Sequence, residues 1–404
     1  MTHQERSYNM EEFNCEWHCP ICFSSKNELF LPLYGVPVIT NAVYTCTNEA
    51  LQAPRGDMKL VVCLVCGHIY NTAFNSALLD YHQEYENTQS FSPLFFNYLE
   101  SLAEELVRRY NLIQRDVIAV GCGRGSFLEL LCKLGNNRGV GFEPSFVLDK
   151  IENTRPDQIT YIRDYYTHSS ADYPVDLLVC RHVLEHIYDV QEFLHDICQV
   201  IGDRKPVVYF EVPNVMSYFS NQDSFAFIYE HPSYFSHHSL FELFSRCQFK
   251  VLSLDERFEG QFLSIEAIPG SGPIESKREF FKGADEILTK AIHFADSFWK
   301  KVGQWKEKLD SFKRSGQKTV IWGTGSRGVN FLNLVDKDLV VEYAIDINQF
   351  KHGNYVAGTG QKIMPPEFLR EYRPDKVIVM NPIYLEEIRE KIQSLKVNSE
   401  IISF

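Results

Sequence analysis

Three closely spaced glycines followed by an acid are the residues of this sequence with the clearest chemical meaning. Gly121, Gly123 and Gly125 come directly after the apolar run 117–120, and Glu143 ends the next apolar run. Glycine lets the backbone approach a ligand, and an acid that ends the following strand can accept both hydroxyls of a ribose. The pattern predicts a site for a nucleoside-bearing cofactor. A tight turn that binds nothing is the alternative.

Four cysteines form a second chemical constellation. Cys19 and Cys22 make one Cys-x-x-Cys pair, and Cys63 and Cys66 make another. Two such pairs supply the four thiolates that close the coordination shell of a tetrahedral, structural Zn²⁺. A redox-active pair is the alternative that the spacing leaves open.

A second glycine loop lies near the C-terminus. Gly323, Gly325 and Gly328 are spaced Gly-x-Gly-x-x-Gly after an apolar run, and the next apolar run ends at Asp346. Taken alone, this unit suggests dinucleotide binding. A Rossmann-like unit whose loop is empty is the competing interpretation.

The chain beyond this loop offers few further strands. Only residues 376–380 and 400–402 have the apolar character of a strand. The sequence therefore predicts a half-Rossmann unit that holds one nucleotide rather than a complete dinucleotide fold.

Length and composition restrict the class of protein. The chain has 404 residues, of which 45% are hydrophobic and 23% charged, and the net charge is −13. This length predicts two or three domains. The negative charge disfavours a broad nucleic-acid surface, and no segment has the pattern of a secretory signal or a bilayer span. We expect a cytoplasmic protein with no nucleic-acid or membrane partner.

The periodicity of apolar residues predicts an α/β fold. Strands are predicted at 116–120, 138–142, 159–162, 176–180 and 206–212, alternating with helical patterns. Such alternation indicates a mostly parallel sheet covered by helices. Helical patterns also run over residues 81–107 and from 275 to about 312. The second of these has an apolar stripe of Phe298, Val302, Trp305, Leu309 and Phe312.

These patterns divide the chain into four parts. They are a zinc-binding module at 1–75, a cofactor-binding domain at 76–270, a helical connector at 271–315 and a Rossmann-like domain at 316–404. The zinc module is too short to have a large core without its metal.

The central domain resembles the class I S-adenosylmethionine methyltransferases. The resemblance rests on the first glycine loop, on the third strand that ends at Asp164, and on the fourth strand with its following loop at 176–186. It implies that S-adenosylmethionine is the cofactor, that Glu143 holds its ribose and that Asp164 contacts its adenine. His182 would lie beside the cofactor in the loop after the fourth strand.

Over nearly its whole length the chain resembles the sugar C-methyltransferases that act on nucleotide-linked 4-keto deoxysugars. This resemblance rests on the cysteine pairs, both glycine loops, the segment 230–236 and the tail elements 346–353 and 380–382. It implies transfer of a methyl group to a sugar carbon through an enolate made by a base.

The resemblance also implies roles for individual residues. His231 would be the base, with Glu230 orienting its imidazole. His186 and Tyr85 would donate hydrogen bonds to the enolate oxygen. Tyr229 lies one position nearer to the Glu-His pair than the corresponding tyrosine of the family. Each histidine is also compatible with an ordinary structural role, and no catalytic metal is expected.

The C-terminal loop would hold the nucleotide of the acceptor, through Gly323, Gly325 and Gly328, with Asp346 as a further candidate. Three other functions remain open: O- or N-methyl transfer to another small metabolite, a nicotinamide-dependent oxidoreductase that uses this loop, and a noncatalytic zinc-containing binding protein. We expect a monomer or a homodimer.

Overall fold

The computed structural model describes residues 17–79, 85–145, 157–270, 283–336 and 338–403. The first residues of the helical pattern predicted at 81–107, and residues 271–282 of the predicted connector, lie outside these ranges. None of the described helices is long and apolar enough to cross a membrane.

The N-terminal part contains short elements around the cysteine pairs. They are β1 (Asn27–Pro37), β2 (Val43–Tyr44), α1 (Thr47–Leu51), β3 (Arg55–Cys63) and β4 (Ile69–Asn71).

The central part alternates helices and strands. Its elements are α2 (Pro93–Arg109), β5 (Asp116–Val120), α3 (Ser126–Gly135), β6 (Arg138–Phe142), β7 (Ile159–Ile162), β8 (Leu177–Arg181), α4 (Val190–Ile201), β9 (Val207–Pro213), α5 (Val215–Ser220), β10 (Ser233–Tyr234), α6 (His237–Arg246), β11 (Phe249–Arg257) and β12 (Phe262–Pro269).

The C-terminal part begins with a long helix. Its elements are α7 (Ala284–Arg314), β13 (Thr319–Trp322), α8 (Ser326–Val335), β14 (Val341–Ile345), β15 (Tyr355–Val356), β16 (Lys362–Met364), α9 (Leu369–Tyr372), β17 (Lys376–Val379), α10 (Leu385–Ser394) and β18 (Glu400–Ser403).

The central sheet has the order β11-β12-β9-β8-β5-β6-β7. The five strands from β9 to β7 are parallel, and β12 and β11 form an antiparallel hairpin at one edge. Strand β5 lies between β6 on one side and β8 on the other, so the strand order reverses direction next to β5. In such a sheet, ligands bind in the crevice at the carboxyl ends of the strands around this switch point. The predicted strands are thus confirmed, while the edge hairpin β11–β12 was not predicted.

The N-terminal sheet has the order β1-β3-β4-β10 and is antiparallel. Strand β10 comes from the central part of the chain and pairs Ser233 with Tyr70. In addition, the backbone N–H of Asn71 donates to the carbonyl of Pro232 at 2.9 Å. These bonds attach the segment that carries His231 to the cysteine-containing module.

The C-terminal sheet is larger than predicted. Its order is β18-β17-β13-β14-β16-β15-β2, with β18, β17, β13, β14 and β16 parallel. The prediction that only residues 376–380 and 400–402 would add strands is wrong. Strands β15 and β16 add to the sheet, and β2 of the N-terminal part closes its edge. Runs of two or three residues show no apolar period that a sequence pattern can reveal.

Helix α7 joins the N-terminal and C-terminal parts. The predicted stripe is buried: Phe298, Val302, Trp305, Leu309 and Phe312 are each no more than 7% exposed. Together with Phe294 these side chains share one core with β1, β3 and α8. The three parts of the chain therefore share a common apolar core.

Candidate active site

The first glycine loop connects β5 to α3, as the sequence predicts. Gly121, Gly123 and Gly125 have φ values of 66°, 53° and 81°, in the left-handed region that favours glycine. A Cβ at Gly121 would come within 2.2 Å of the Val183 side chain, and one at Gly125 within 2.1 Å of the Tyr161 hydroxyl. A Cβ at Gly123 would meet nothing within 4 Å. Gly123 therefore borders open space that a cofactor can use.

The acid after β6 reaches back to this loop. One carboxylate oxygen of Glu143 accepts from the Gly123 N–H at 3.1 Å, and the other accepts from the N–H and hydroxyl of Ser145. A carboxylate has about four acceptor positions, so it can also accept ribose hydroxyls. Asp164, which follows β7, is exposed and accepts from the Tyr165 N–H at 2.8 Å. The loop, Glu143 and Asp164 thus fit the nucleoside part of S-adenosylmethionine.

His182, which follows β8, lies between two carboxylates. Its Nε2 is 3.1 Å from Glu211 and its Nδ1 is 3.7 Å from Glu185. Burial lowers the pKa of His182, but the hydrogen bonds to these two acids outweigh it, and the pKa is raised overall. His182 has φ 55°, a left-handed backbone conformation that residues other than glycine rarely adopt. Both ring nitrogens therefore face protein acids, a geometry that favours positioning of the loop over direct cofactor contact.

Glu211 of β9 is the centre of a buried hydrogen-bond network that the sequence analysis did not identify. Besides His182, it accepts from Arg181 and from the hydroxyls of Tyr98 and Tyr209. Burial raises the pKa of this carboxyl, but Arg181, His182 and Tyr98 hold it well below its ordinary value. An acid inside an apolar strand pattern is the signal that could have revealed it.

His231 and His186 meet at the carboxyl end of the central sheet. Their ring centroids are 4.6 Å apart with the planes at 90°. His231 is 9% exposed. Burial lowers its pKa well below the ordinary value, and the nearby His186 and His182 lower it further. Its imidazole is therefore neutral at physiological pH, the form that accepts a proton. The Nδ1 atoms of both rings have no hydrogen-bond partner among the described residues.

Glu230 connects this pair of histidines to the C-terminal domain. It is fully buried, and its Oε1 accepts from the backbone N–H and the hydroxyl of Thr40, both at 2.5 Å. The Thr40 hydroxyl also lies 3.2 Å from the hydroxyl of Ser326, the first residue of α8. Thr40 was not predicted, because no motif marks a lone threonine in the N-terminal part.

Asp346, the acid that follows β14, accepts hydrogen bonds from residues of the C-terminal loop. Asp346 is 9% exposed and accepts from the N–H and hydroxyl of Thr324 and from the N–H of Asn348. The ammonium of Lys351 donates to the Thr324 carbonyl at 3.0 Å. These bonds make Asp346 an organiser of the loop. Its contact with the acceptor nucleotide stays a prediction.

The glycines of this loop also differ from one another. A Cβ at Gly328 would come within 2.0 Å of the Gly323 carbonyl oxygen, whereas one at Gly325 would meet nothing within 4 Å. Gly328 therefore permits close packing of α8 on the loop. Gly325, next to the start of α8, leaves room for a ligand there.

A chain of side-chain contacts joins the two glycine loops. Arg124, inside the first loop, pairs with Glu86, and its guanidinium lies 3.8 Å from the centroid of the Phe350 ring. The amide of Asn348 donates to Glu86 at 3.0 Å. Asn348 in turn contacts Asp346 of the second loop. The two loops therefore border one region.

The two predicted tyrosines differ. Tyr229 is fully buried, and its hydroxyl accepts from the Asn75 N–H at 2.9 Å. The backbone uses this hydroxyl, so the geometry favours a structural role, and the catalytic role of Tyr229 that the family resemblance suggests stays a prediction. Tyr85 forms a backbone bridge with Ala42, two residues after Thr40, and thus enters the region of the Glu-His pair.

The four predicted metal ligands come together at one end of the N-terminal sheet. The Sγ atoms of Cys19 and Cys66 are 3.5 Å apart, and those of Cys22 and Cys63 are 3.4 Å apart. One ligand atom from each of the four residues lies within 4.8 Å of the others. Thiolates at about 2.3 Å from a tetrahedral Zn²⁺ have comparable separations. The donor set therefore fits zinc.

Two segments of the chain match models of known protein families. A family model described as a methyltransferase domain matches residues 93–254, and one described as a C-methyltransferase C-terminal domain matches residues 278–402. The chain therefore carries an S-adenosylmethionine-dependent methyltransferase domain followed by a C-methyltransferase C-terminal domain. This confirms the predicted enzyme class and the class I methyltransferase fold.

Individual relatives are more distant. The ubiquinone biosynthesis O-methyltransferase of Photorhabdus laumondii is 28% identical over 136 residues, which are 32% of this chain and 53% of that protein. The chain thus spans about half the length of this curated relative. A solved S-adenosylmethionine-dependent methyltransferase from Clostridium acetobutylicum is 12% identical, with 44% of this chain and 92% of that chain covered and a TM-score of 0.35. Magnesium protoporphyrin IX methyltransferase from Synechocystis is 14% identical, with 47% of this chain and 91% of that chain covered and a TM-score of 0.35.

Proposed function

We propose that this protein is a C-methyltransferase that acts on a nucleotide-linked keto-deoxysugar. One observation supports the proposal most strongly. His231 is next to His186 of the methyltransferase domain, while its neighbour Glu230 is linked through Thr40 to the first residue of α8. A base is thus bordered by a cofactor domain on one side and a candidate nucleotide loop on the other.

The cofactor would lie along the first glycine loop. The backbone of Gly121, Gly123 and Gly125 approaches it, Glu143 accepts its ribose hydroxyls and Asp164 contacts its adenine. S-adenosylmethionine bound there supplies an activated methyl group on a sulfonium centre. Because Glu143 is held by Gly123, its carboxylate is oriented before the ligand arrives.

The acceptor would bind between the loops. Its phosphates would meet the N-terminus of α8 near Gly323 and Gly325, where backbone N–H groups and the helix dipole favour anions. The buried ammonium of Lys351 adds positive charge beneath this loop. The sugar ring would then extend past Thr40 toward His231. Asp346 shapes this loop through its bonds to Thr324 and Asn348.

His231 would remove the proton beside the sugar ketone. Its neutral imidazole would take the proton, and the C–H electron pair would become an enolate whose carbon would accept the methyl group as the methyl–sulfur bond breaks and its electron pair goes to sulfur. His186 and Tyr85 would donate hydrogen bonds to the enolate oxygen. A positioned base of this kind contributes roughly 10²–10⁴ in rate. The four cysteines would hold a structural Zn²⁺ that stabilises the module carrying Thr40.

The direct test uses labelled S-adenosylmethionine and a panel of nucleotide-linked keto sugars, followed by mass analysis of the products. The proposal requires label in a new carbon–carbon bond of a sugar. Label on oxygen or nitrogen, or no transfer to any sugar in the panel, would contradict it.

A second candidate is O-methyl transfer, because the curated relative reported above is an O-methyltransferase. An oxygen nucleophile does not require removal of a carbon-bound proton. If the protein is an O-methyltransferase, His231→Asn should keep substantial activity. If it is a C-methyltransferase, the same variant should lose methyl transfer.

A further inference from the structure

Three metal-binding side chains meet beside the proposed base. Glu185, His186 and His231 each offer one ligand atom, and these atoms all lie within 4.8 Å of one another. The sequence analysis expected no metal here, because His231 is far from the other two along the chain. The fold creates the cluster by attaching β10 to the N-terminal sheet, which brings His231 to the loop after β8.

Buried polar atoms in this cluster lack partners. Among the described residues, Oε2 of Glu185 and Nδ1 of both histidines are buried without a hydrogen bond. A buried polar atom that nothing satisfies destabilises the folded protein. Three unsatisfied donors or acceptors in one place point to a ligand that contacts all of them.

We propose that Glu185, His186 and His231 form a second divalent-metal site, which binds Zn²⁺ through two imidazoles and one carboxylate. Ligands of this type suit Zn²⁺ and Co²⁺, and three protein ligands leave one position open. Donors at about 2.1 Å from a tetrahedral ion are about 3.4 Å apart, so small side-chain rotations close the site.

The surroundings of the cluster fit a metal site. The second oxygen of Glu185 is 3.7 Å from Nδ1 of His182, whose Nε2 contacts Glu211. Partners of this kind orient a ligating carboxylate. Glu185 and His231 are buried, whereas His186 is half-buried and gives an ion access from solvent.

The consequence for catalysis rests on the proposed function. An ion bound to His231 takes a ring-nitrogen lone pair and lowers the basicity of the imidazole. Occupancy of the site therefore prevents proton removal from the acceptor, and Zn²⁺ acts as a reversible inhibitor. The metal site itself does not depend on that reaction.

Co²⁺ titration of the purified full-length protein, with its four-cysteine site filled, tests the site by absorption spectroscopy. We expect one saturable set of visible bands without thiolate-to-metal charge transfer, because the ligands are nitrogen and oxygen. Glu185→Gln and His186→Asn should each weaken Co²⁺ binding by about tenfold or more. Glu256→Gln, which removes a carboxylate 3.6 Å from His237 outside the cluster, should bind Co²⁺ like the wild type.

The outcomes distinguish the claim that the metal site exists from the claim that the bound metal inhibits methyl transfer. Absence of these bands in the wild type, or unchanged binding in the folded variants, would overturn the metal site. If one variant does not fold, the other decides. Suppression of methyl transfer by Zn²⁺ at the concentrations that fill the site supports the link to catalysis. Binding without suppression would keep the site and overturn the assignment of His231 as the base.

Discussion

The loop at Gly121–Gly125 and the loop at Gly323–Gly328 use their acids differently. Glu143 is half-buried and contacts its loop through the N–H of Gly123. Asp346 is buried and accepts from Thr324 and from Asn348. Both loops have the same order of strand, glycines, helix, strand and acid. Each carboxylate accepts three hydrogen bonds from its surroundings, so the two acids differ in burial rather than in the number of bonds. The shared order encodes a turn, whereas access of a ligand depends on how far the fold leaves the carboxylate exposed.

The largest expected effect is the loss of methyl transfer on replacement of His231, the proposed base between the two loops. His231→Asn removes the imidazole but keeps a polar side chain of similar size, so methyl transfer should fall by roughly 10²–10⁴. S-adenosylhomocysteine affinity, measured by calorimetry, should stay unchanged because His231 does not belong to either loop. His195→Asn, at an exposed position of α4, should behave like the wild type in both assays. Comparable losses in affinity and rate in His231→Asn would show that the residue acts on binding.

The next prediction compares the two acids directly. Glu143→Gln should weaken S-adenosylhomocysteine binding by about 10- to 100-fold, because hydrogen bonds to a charged group contribute about 1.5–3 kcal/mol. Asp346→Asn should leave that affinity unchanged and lower the free energy of unfolding by about 1–3 kcal/mol, because the amide keeps only one of the two oxygens that accept from Thr324 and Asn348. Calorimetric titration and urea unfolding measure the two effects. The reverse pattern would assign the cofactor to the C-terminal loop.

A third comparison is internal to the C-terminal loop. Gly328→Ala should destabilise the protein by about 1–3 kcal/mol, since its Cβ would overlap the Gly323 carbonyl oxygen. Gly325→Ala should change the unfolding free energy by less than about 0.5 kcal/mol. It should nevertheless weaken binding of the acceptor nucleotide, because the added methyl group enters the space at the start of α8. Equal stability of the two variants would contradict the packing role of Gly328.

The smallest effect concerns pH. The base acts only when neutral, and burial lowers the pKa of His231 below the ordinary 6.5. Because protonation then occurs only at lower pH, kcat/KM for the acceptor should remain constant as pH falls to 6.5. His186→Asn removes a nearby imidazole whose electrostatic effect lowers the pKa of His231, so the acid limb should move to higher pH. A wild-type acid limb centred above 6.5 would be inconsistent with a buried neutral base.

Several features were predictable because a local pattern encodes them. The glycine loop with Glu143, the two cysteine pairs and the buried face of α7 follow from spacing alone. Thr40, Glu185 and Glu211 were not predicted, since their importance comes from neighbours far along the chain. Strand β2 was missed for the same reason, because two residues have no period and gain their pairing only from β15.

Exchange of the acceptor's carbon-bound proton with solvent tests the central claim most directly. The protein is incubated in D₂O with S-adenosylhomocysteine and the keto-sugar nucleotide, and deuterium beside the ketone is followed by NMR. The account predicts deuterium incorporation by the wild type and none above background by His231→Asn. A wild-type enzyme that methylates this acceptor without exchanging the proton, while His231→Asn methylates it equally well, would contradict the account.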